Sequence, residues 1–281
     1  MQRWLSDHPD VIGSQPEETR FLMDADDPLS QPKGYAVTGL EGYGAFFPER
    51  GRPSRYQLDV TPMYYYQQAA REIIPALPDA RAIFLARRPG ARLKSLYDYA
   101  RNNVGVLPPN ITFAEFVSEM EKGPASDVIG KHPMMCNGLQ HSRYAEYLRD
   151  WMTAMGRDRL AVLIFEELIA DPRSNLIRLA NMLGIDPGFY DRYTFPKENE
   201  SYSVSNRPAH RLARRMKGTV PSFVRKSLKP AYLLINTKRS KPAKTSDDLA
   251  TMAYVDEKLS ASEADLASLL GRDRIWAPSP A

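Results

Sequence analysis

Two arginines, Arg87 and Arg88, close an apolar run that starts at Arg81 and carries Ala82, Ile83, Phe84, Leu85 and Ala86; Ser95 follows eight residues after Arg87. The run has the length and content of a strand buried on both faces. Pro89 and Gly90, then Leu93, Leu96, Tyr97 and Ala100, read as the helix that follows, Pro89 being suited to a first turn where a missing N–H costs nothing. Arg87 and Arg88 thus stand beyond the carboxyl end of a strand, where a helix N-terminus offers free N–H groups to anions. A guanidinium and a hydroxyl at such a place suit a phosphate, since the arginine fork gives two charged hydrogen bonds at once. The ordinary alternative is an arginine paired with a nearby carboxylate.

A second apolar run, Leu160 to Phe165, is followed by Asp171-Pro172 and by Leu176, Leu179, Ala180 and Leu183 on one helical face, stopped at Gly184. Two strand-helix units predict an α/β fold with a parallel sheet. Helices are expected over 113–120 and 141–155, the latter with Tyr144, Leu148 and Trp151 on a common face, and over 67–76. A short strand is expected at 56–60, a loop excursion rich in Gly, Pro and Asp over 24–53, and a last short helix at 262–270 closed by Gly271. No internal repeat and no linker composition divides the chain, which reads as one domain over 1–281.

Composition removes several classes. With 281 residues, 43% of them hydrophobic, the chain can bury a core and is not disordered. One cysteine, Cys136, allows neither an intramolecular disulfide nor a Cys-rich zinc site, and His132 and His141 lack ligand spacing. His8 reads as a helix-end packing or capping residue, and Tyr64, Tyr65 and Tyr66 as wall and core. No apolar run approaches the ~20 residues that span a bilayer and residues 1–8 lack a signal-peptide stretch, so a soluble, cytoplasmic protein is expected. The net charge of +4 is uneven: twelve Lys or Arg and no acidic residue lie between Arg207 and Lys244. Such a segment can face a polyanion, a nucleotide's phosphates or a lipid surface, or form a solvated face.

The run Arg87-Arg88-Pro89-Gly90-Ala91-Arg92-Leu93-Lys94-Ser95 resembles the 3′-phosphate-binding segment of sulfotransferases that use 3′-phosphoadenosine 5′-phosphosulfate (PAPS). There the pattern is strand, Arg, Asp, Pro and a helical Ser. Here Arg87 and Ser95 match and Arg88 replaces the Asp. Further segments follow in the family's order. Leu5 to Val11 is similar to the end of its first helix, Asp59-Val60-Thr61-Pro62-Met63-Tyr64 to its short strand and Tyr-containing turn, and Tyr144 to Trp151 to its middle helix. Phe165 to Pro172 is similar to its Tyr-Glu-Asp-Leu strand end, and Leu269 to Asp273 to its C-terminal helix. The likeness runs closest to the carbohydrate-type and bacterial branch.

The resemblance implies a three-layer parallel sheet flanked by helices, on a P-loop NTPase-like fold, and sulfuryl transfer from PAPS to a hydroxyl or amine of a carbohydrate, glycolipid or natural product. It places Glu18, in Glu17-Glu18-Thr19-Arg20-Phe21-Leu22, at the position of the general base, with Arg20 where the family has His; a solvated loop acid is the plain reading of that glutamate. Arg87, Ser95 and, in a returning C-terminal loop, Arg207 would hold the nucleotide. The implied partner is a small-molecule or glycan acceptor, with no nucleic acid and no metal, and positive groups and N–H donors would stabilise the equatorial oxygens of the transferring group.

The family's first strand and its Gly-rich phosphosulfate loop precede the helix in which this chain starts. The expectation is therefore an upstream start or a fragment, or else a degenerate relative that binds anions without catalysis. Val60 stands where heparan-type enzymes have Lys, so a heparan-like acceptor is not implied. A nucleotide-dependent kinase shares the architecture but needs a full Gly-x-x-x-x-Gly-Lys-Ser/Thr loop and acidic Mg²⁺ ligands, which the chain lacks.

Overall fold

The computed structural model describes residues 1–49, 53–104, 106–196, 203–204, 237–238 and 243–277. In chain order these form α1 (Gln2–Ser6), β1 (Val11–Gly13), α2 (Tyr35–Thr38), β2 (Tyr56–Leu58), α3 (Gln68–Ala76), β3 (Ala82–Ala86), α4 (Pro89–Tyr99), α5 (Phe113–Glu121) and α6 (Pro133–Cys136). There follow α7 (Tyr144–Met155), β4 (Leu160–Ile164), α8 (Phe165–Ala170), α9 (Pro172–Leu183), β5 (Ser203–Val204), β6 (Thr237–Lys238), α10 (Ser246–Lys258) and α11 (Ser260–Leu269). By packing they divide into two units, Met1–Pro89 with Leu139–Pro196 and Val255–Ala281, and Gly90–Gly138 with Lys197–Tyr254.

The first unit is α/β. β3 and β4 pair in parallel, Ala82 beside Leu160 through Ala86 beside Ile164. Side chains alternate across a strand, so the pair feeds two cores. Phe84, Ala86 and Ile164 pack with Tyr144, Leu148 and Trp151 of α7 on one face. Ile83, Leu85 and Leu163 meet Leu176, Leu179 and Leu183 of α9 on the other. Helices on both faces of a parallel pair are the three-layer arrangement, and each fully buried leucine, such as Leu148 or Leu176, is worth about 1.5–3 kcal/mol. A second parallel ladder joins β1 to β2, Val11 beside Tyr56 through Gly13 beside Leu58.

Local chemistry explains the helix ends. The Asp171 carboxylate accepts from the Ser174 N–H at 3.1 Å and Pro172 opens α9, which Gly184 closes in the left-handed conformation at φ 64°. In the second unit Thr112 and Glu115 form a reciprocal capping box on α5, and Phe113 and Phe116 pack beside Tyr97 of α4. Gly90, in the first turn of α4, lies so near Met252 of α10 that a Cβ there would stand 2.4 Å from the Met252 carbonyl oxygen.

Several elements differ from the sequence expectation. β1 is an additional strand, only three residues long. Phe165–Ala170 is helical, so Glu166 and Glu167 occupy the first turn of α8 rather than a strand end. α7 starts at Tyr144 because Gln140–Ser142 forms a separate 3-10 turn. α10 precedes the expected last helix. His8 is fully buried: its Nε2 donates to the Asp186 carbonyl at 3.0 Å and its Nδ1 accepts from the Asp10 N–H at 3.1 Å, so it closes the turn after α1. No helix among the described residues is long and apolar enough to cross a membrane.

Candidate active site

The loop from Ser14 to Asp24 follows β1 and carries Glu18. Its glutamate is half-buried and its Oε2 accepts from the Arg20 guanidinium at 3.0 Å, the side chains being 38% and 31% exposed. Glu17 beside it is exposed, and its carbonyl accepts from the Ser14 hydroxyl at 2.9 Å. Arg20 has φ 55°, in the left-handed region that few non-glycine residues enter, and such a residue persists only where its surroundings hold it.

What holds it is Asp59, just beyond β2. Asp59 Oδ1 accepts from the Thr61 N–H at 3.0 Å and hydroxyl at 2.7 Å, and from the Thr19 N–H at 3.4 Å. Oδ2 accepts from Tyr64 at 2.8 Å, Tyr43 at 2.9 Å and the Thr19 hydroxyl. A hydroxyl has one proton to give. Thr19, Thr61 and Tyr64 each give theirs to Asp59, which leaves their lone pairs to accept from main-chain N–H groups. Thr61 takes Arg20 at 3.0 Å, Thr19 takes Phe21 at 3.1 Å and Tyr64 takes Leu22 at 3.1 Å. Burial, and then the Asp59 charge, push the phenols of Tyr43 and Tyr64 well above their ordinary range, so both remain donors.

Arg87 follows β3. The Tyr144 hydroxyl, buried on α7, donates to the Arg87 carbonyl at 3.0 Å and lies 3.3 Å from the Arg87 N–H. The guanidinium lies over the Phe165 ring, 4.7 Å from its centre, in a cation–π contact. Arg88 is engaged differently: its N–H reaches Glu166 Oε1 at 3.2 Å, its Nε meets Asp256 at 2.8 Å and its terminal nitrogen donates to the Ala277 carbonyl at 2.6 Å. Glu166 also accepts from the Trp276 indole at 2.8 Å and Glu167 from Arg272, so both glutamates tie the C-terminal segment down. Ser95 is exposed on α4. Lys94 on the same helix is only 12% exposed and pairs with Asp98 at 2.8 Å and Asp248 at 3.8 Å. Arg207, and nearly all of the basic segment, lie outside the described residues.

The sequence reading placed Asp59, Thr61 and Tyr64 in a strand and an aromatic wall and assigned them no polar task. Tyr64 is indeed in the core, but its hydroxyl is a member of the hub. The available signal was the Asp-x-Thr spacing, which predicts the turn in which Asp59 accepts from Thr61 N–H. Tyr65 and Tyr66 are structural: the Trp151 indole donates to the Tyr65 carbonyl at 2.9 Å, and the Tyr66 ring stacks on His141 at 3.7 Å. No group of three His, Cys, Asp or Glu among the described residues is placed to hold a metal ion.

A parallel α/β frame with an arginine at a strand end before a helix is a place where a protein can present charged donors to an anion, and comparison with known proteins gives the family. Residues 68–238, from α3 into the basic segment, match the sulfotransferase domain, and the chain belongs to the sulfotransferase family. The human bifunctional heparan sulfate N-deacetylase/N-sulfotransferase 2 is 25% identical over 194 residues, which are 66% of this chain and 20% of that protein. The Drosophila melanogaster bifunctional heparan sulfate N-deacetylase/N-sulfotransferase is 23% identical over 162 residues, 53% of this chain and 15% of that protein. The chain thus spans about a fifth or less of the length of these curated relatives. In structure it is similar to a sulfotransferase from Alicyclobacillus acidocaldarius, with a TM-score of 0.62 at 17% identity, covering 96% of this chain and 90% of that one. That likeness establishes the P-loop-like α/β fold. The family match includes Arg87, Ser95 and Arg207 and starts downstream of Glu18 and Asp59.

Proposed function

We propose that this sulfotransferase takes its sulfuryl group from PAPS, with Arg87 and Ser95 holding the 3′-phosphate and Glu18 accepting the proton of the acceptor hydroxyl or amine. The carrying observation is Arg87 itself: a strand-end arginine inside the matched region, its main chain held by Tyr144 and its guanidinium over the Phe165 ring. These residues suit a phosphate, because an arginine fork at a strand end followed by a helix N-terminus gives directed donors and a favourable dipole. In transfer the acceptor oxygen or nitrogen forms its bond to sulfur as the bond from sulfur to the bridging oxygen of the donor breaks, and the acceptor proton passes to the Glu18 carboxylate. Arg20 beside Glu18 keeps a positive charge at that loop. Arg207 is assigned to the nucleotide as a second cation, and the acceptor is a carbohydrate, glycolipid or natural product.

The test is thermal stabilisation by adenosine 3′,5′-bisphosphate, with ATP and Mg²⁺ as the control. At a hundredfold excess over Kd, binding adds about 2.7 kcal/mol and raises the midpoint by several degrees. The rise is expected with the bisphosphate, and it should be lost in Arg87→Ala. A folded wild-type protein whose midpoint ignores the bisphosphate overturns the donor assignment.

A further inference from the structure

We propose that Asp59 is the positioning residue for the base loop: by fixing the proton direction of three hydroxyls it locks the four successive amides after Glu18 and so aims that carboxylate. The inference rests on the reading of Glu18 as general base and adds to it a residue that touches no substrate.

The geometry is unusual in its economy. Thr19, Arg20, Phe21 and Leu22 have no helix or strand partner for their N–H groups, and a main-chain N–H left unpaired in a protein interior costs free energy. Here Asp59 Oδ1, Thr61 Oγ1, Thr19 Oγ1 and the Tyr64 hydroxyl accept from these four amides in chain order. Three of the four acceptors are themselves turned outward by donating to Asp59. The carboxylate acts through acceptor-only chemistry: an ionised Asp offers lone pairs alone, so every hydroxyl facing it must donate. An amide in its place presents two protons on one side. It cannot keep the Oδ2 set of Tyr43, Tyr64 and Thr19 all donating.

The left-handed Arg20 depends on this lock. Its N–H is captured by Thr61 and its guanidinium closes back on Glu18, so the conformation of residue 20 sets where the Glu18 carboxylate lies. Release of the amides lets the loop leave the left-handed region. The base is then present but misplaced, and a displacement of about 1 Å at a catalytic group costs on the order of 10²-fold in rate.

Hydrogen exchange and turnover together test the proposal. Asp59→Asn should raise exchange of the amides at 19–22 while the amides of β3 exchange as in wild type; unchanged exchange at 19–22 overturns it. Thr61→Val and Tyr64→Phe, which remove one hydroxyl each, serve if Asp59→Asn does not fold, and they should release Arg20 and Leu22 respectively. Turnover is read as sulfate released from ³⁵S-labelled PAPS, with water standing in for the acceptor. Asp59→Asn is expected to lower kcat by about 10²-fold with KM for PAPS unchanged. On a Glu18→Gln background the same substitution should change kcat by less than about twofold, because groups acting as one unit are not additive. A full additive loss in the double variant overturns the proposal while leaving Glu18 as base. If Glu18→Gln alone turns over like wild type, the base reading fails and the positioning role falls with it.

Discussion

Gly90→Ala should destabilise the protein through one identifiable collision. The added Cβ would lie 2.4 Å from the Met252 carbonyl oxygen and 2.9 Å from the Met252 carbonyl carbon and Cα. Ordinary Cβ contacts begin at 3.4 Å, so α4 or α10 must move by about 1 Å; the obstructing atoms are main chain and cannot rotate aside. Overpacking of that kind costs about 1–3 kcal/mol. At about 2–4 °C per kcal/mol for a chain of roughly this size, the melting midpoint should fall by about 2–12 °C, read by circular dichroism at 222 nm. Gly44→Ala is the matched control, since a Cβ there meets nothing within 4 Å. It should melt with wild type or slightly above it. A Gly90→Ala protein that melts with wild type refutes the close approach of α10 to the first turn of α4.

Two further outcomes follow from the capping and clamping contacts. Tyr144→Phe keeps the ring packed against Phe84 and removes the hydroxyl that serves Arg87; it should lower the midpoint by the equivalent of about 1–3 kcal/mol and weaken the bisphosphate-induced rise. Asp171 is held below the ordinary carboxylate range by hydrogen bonds from Ser174, its hydroxyl first and its N–H second. Its contribution is therefore present above the unfolded value near 4 and lost as pH falls through the lower folded value, so the advantage of wild type over Asp171→Asn in urea melts should shrink on acidification.

The frame was legible where one residue type repeats at one period. Ile83, Phe84 and Leu85 in β3, the Leu176, Leu179 and Leu183 face of α9, and the Asp171 and Gly184 caps each follow from local rules. β1 is different. Three residues carry no readable period, and their partner Tyr56–Leu58 lies far along the chain. α10 was missed for a related reason, because of its residues only Val255 is buried and its apolar positions do not form a stripe. The site divides in the same way. Arg87 and Ser95, proposed to hold the nucleotide, share one strand-helix connection and can be proposed together from the sequence, while the Asp59 hub gathers Thr19, Tyr43, Thr61 and Tyr64 from separate turns. Hydroxyls and a carboxylate scattered over 46 positions make one polar centre only after the loop between them has folded back.

The first unit is discontinuous, and that orders events in time. Its core joins Phe84 and Tyr144 to Leu266 and Trp276, and the Trp4 indole donates to the Pro196 carbonyl across 192 positions. A nascent chain is made from its N-terminus, so β3 must wait for residues synthesised nearly two hundred positions later before its α7-side core closes. Contacts of such separation make folding slow and leave apolar surface open meanwhile. Synthesis of this protein should accordingly be more sensitive to temperature and to chaperone supply than the finished molecule is.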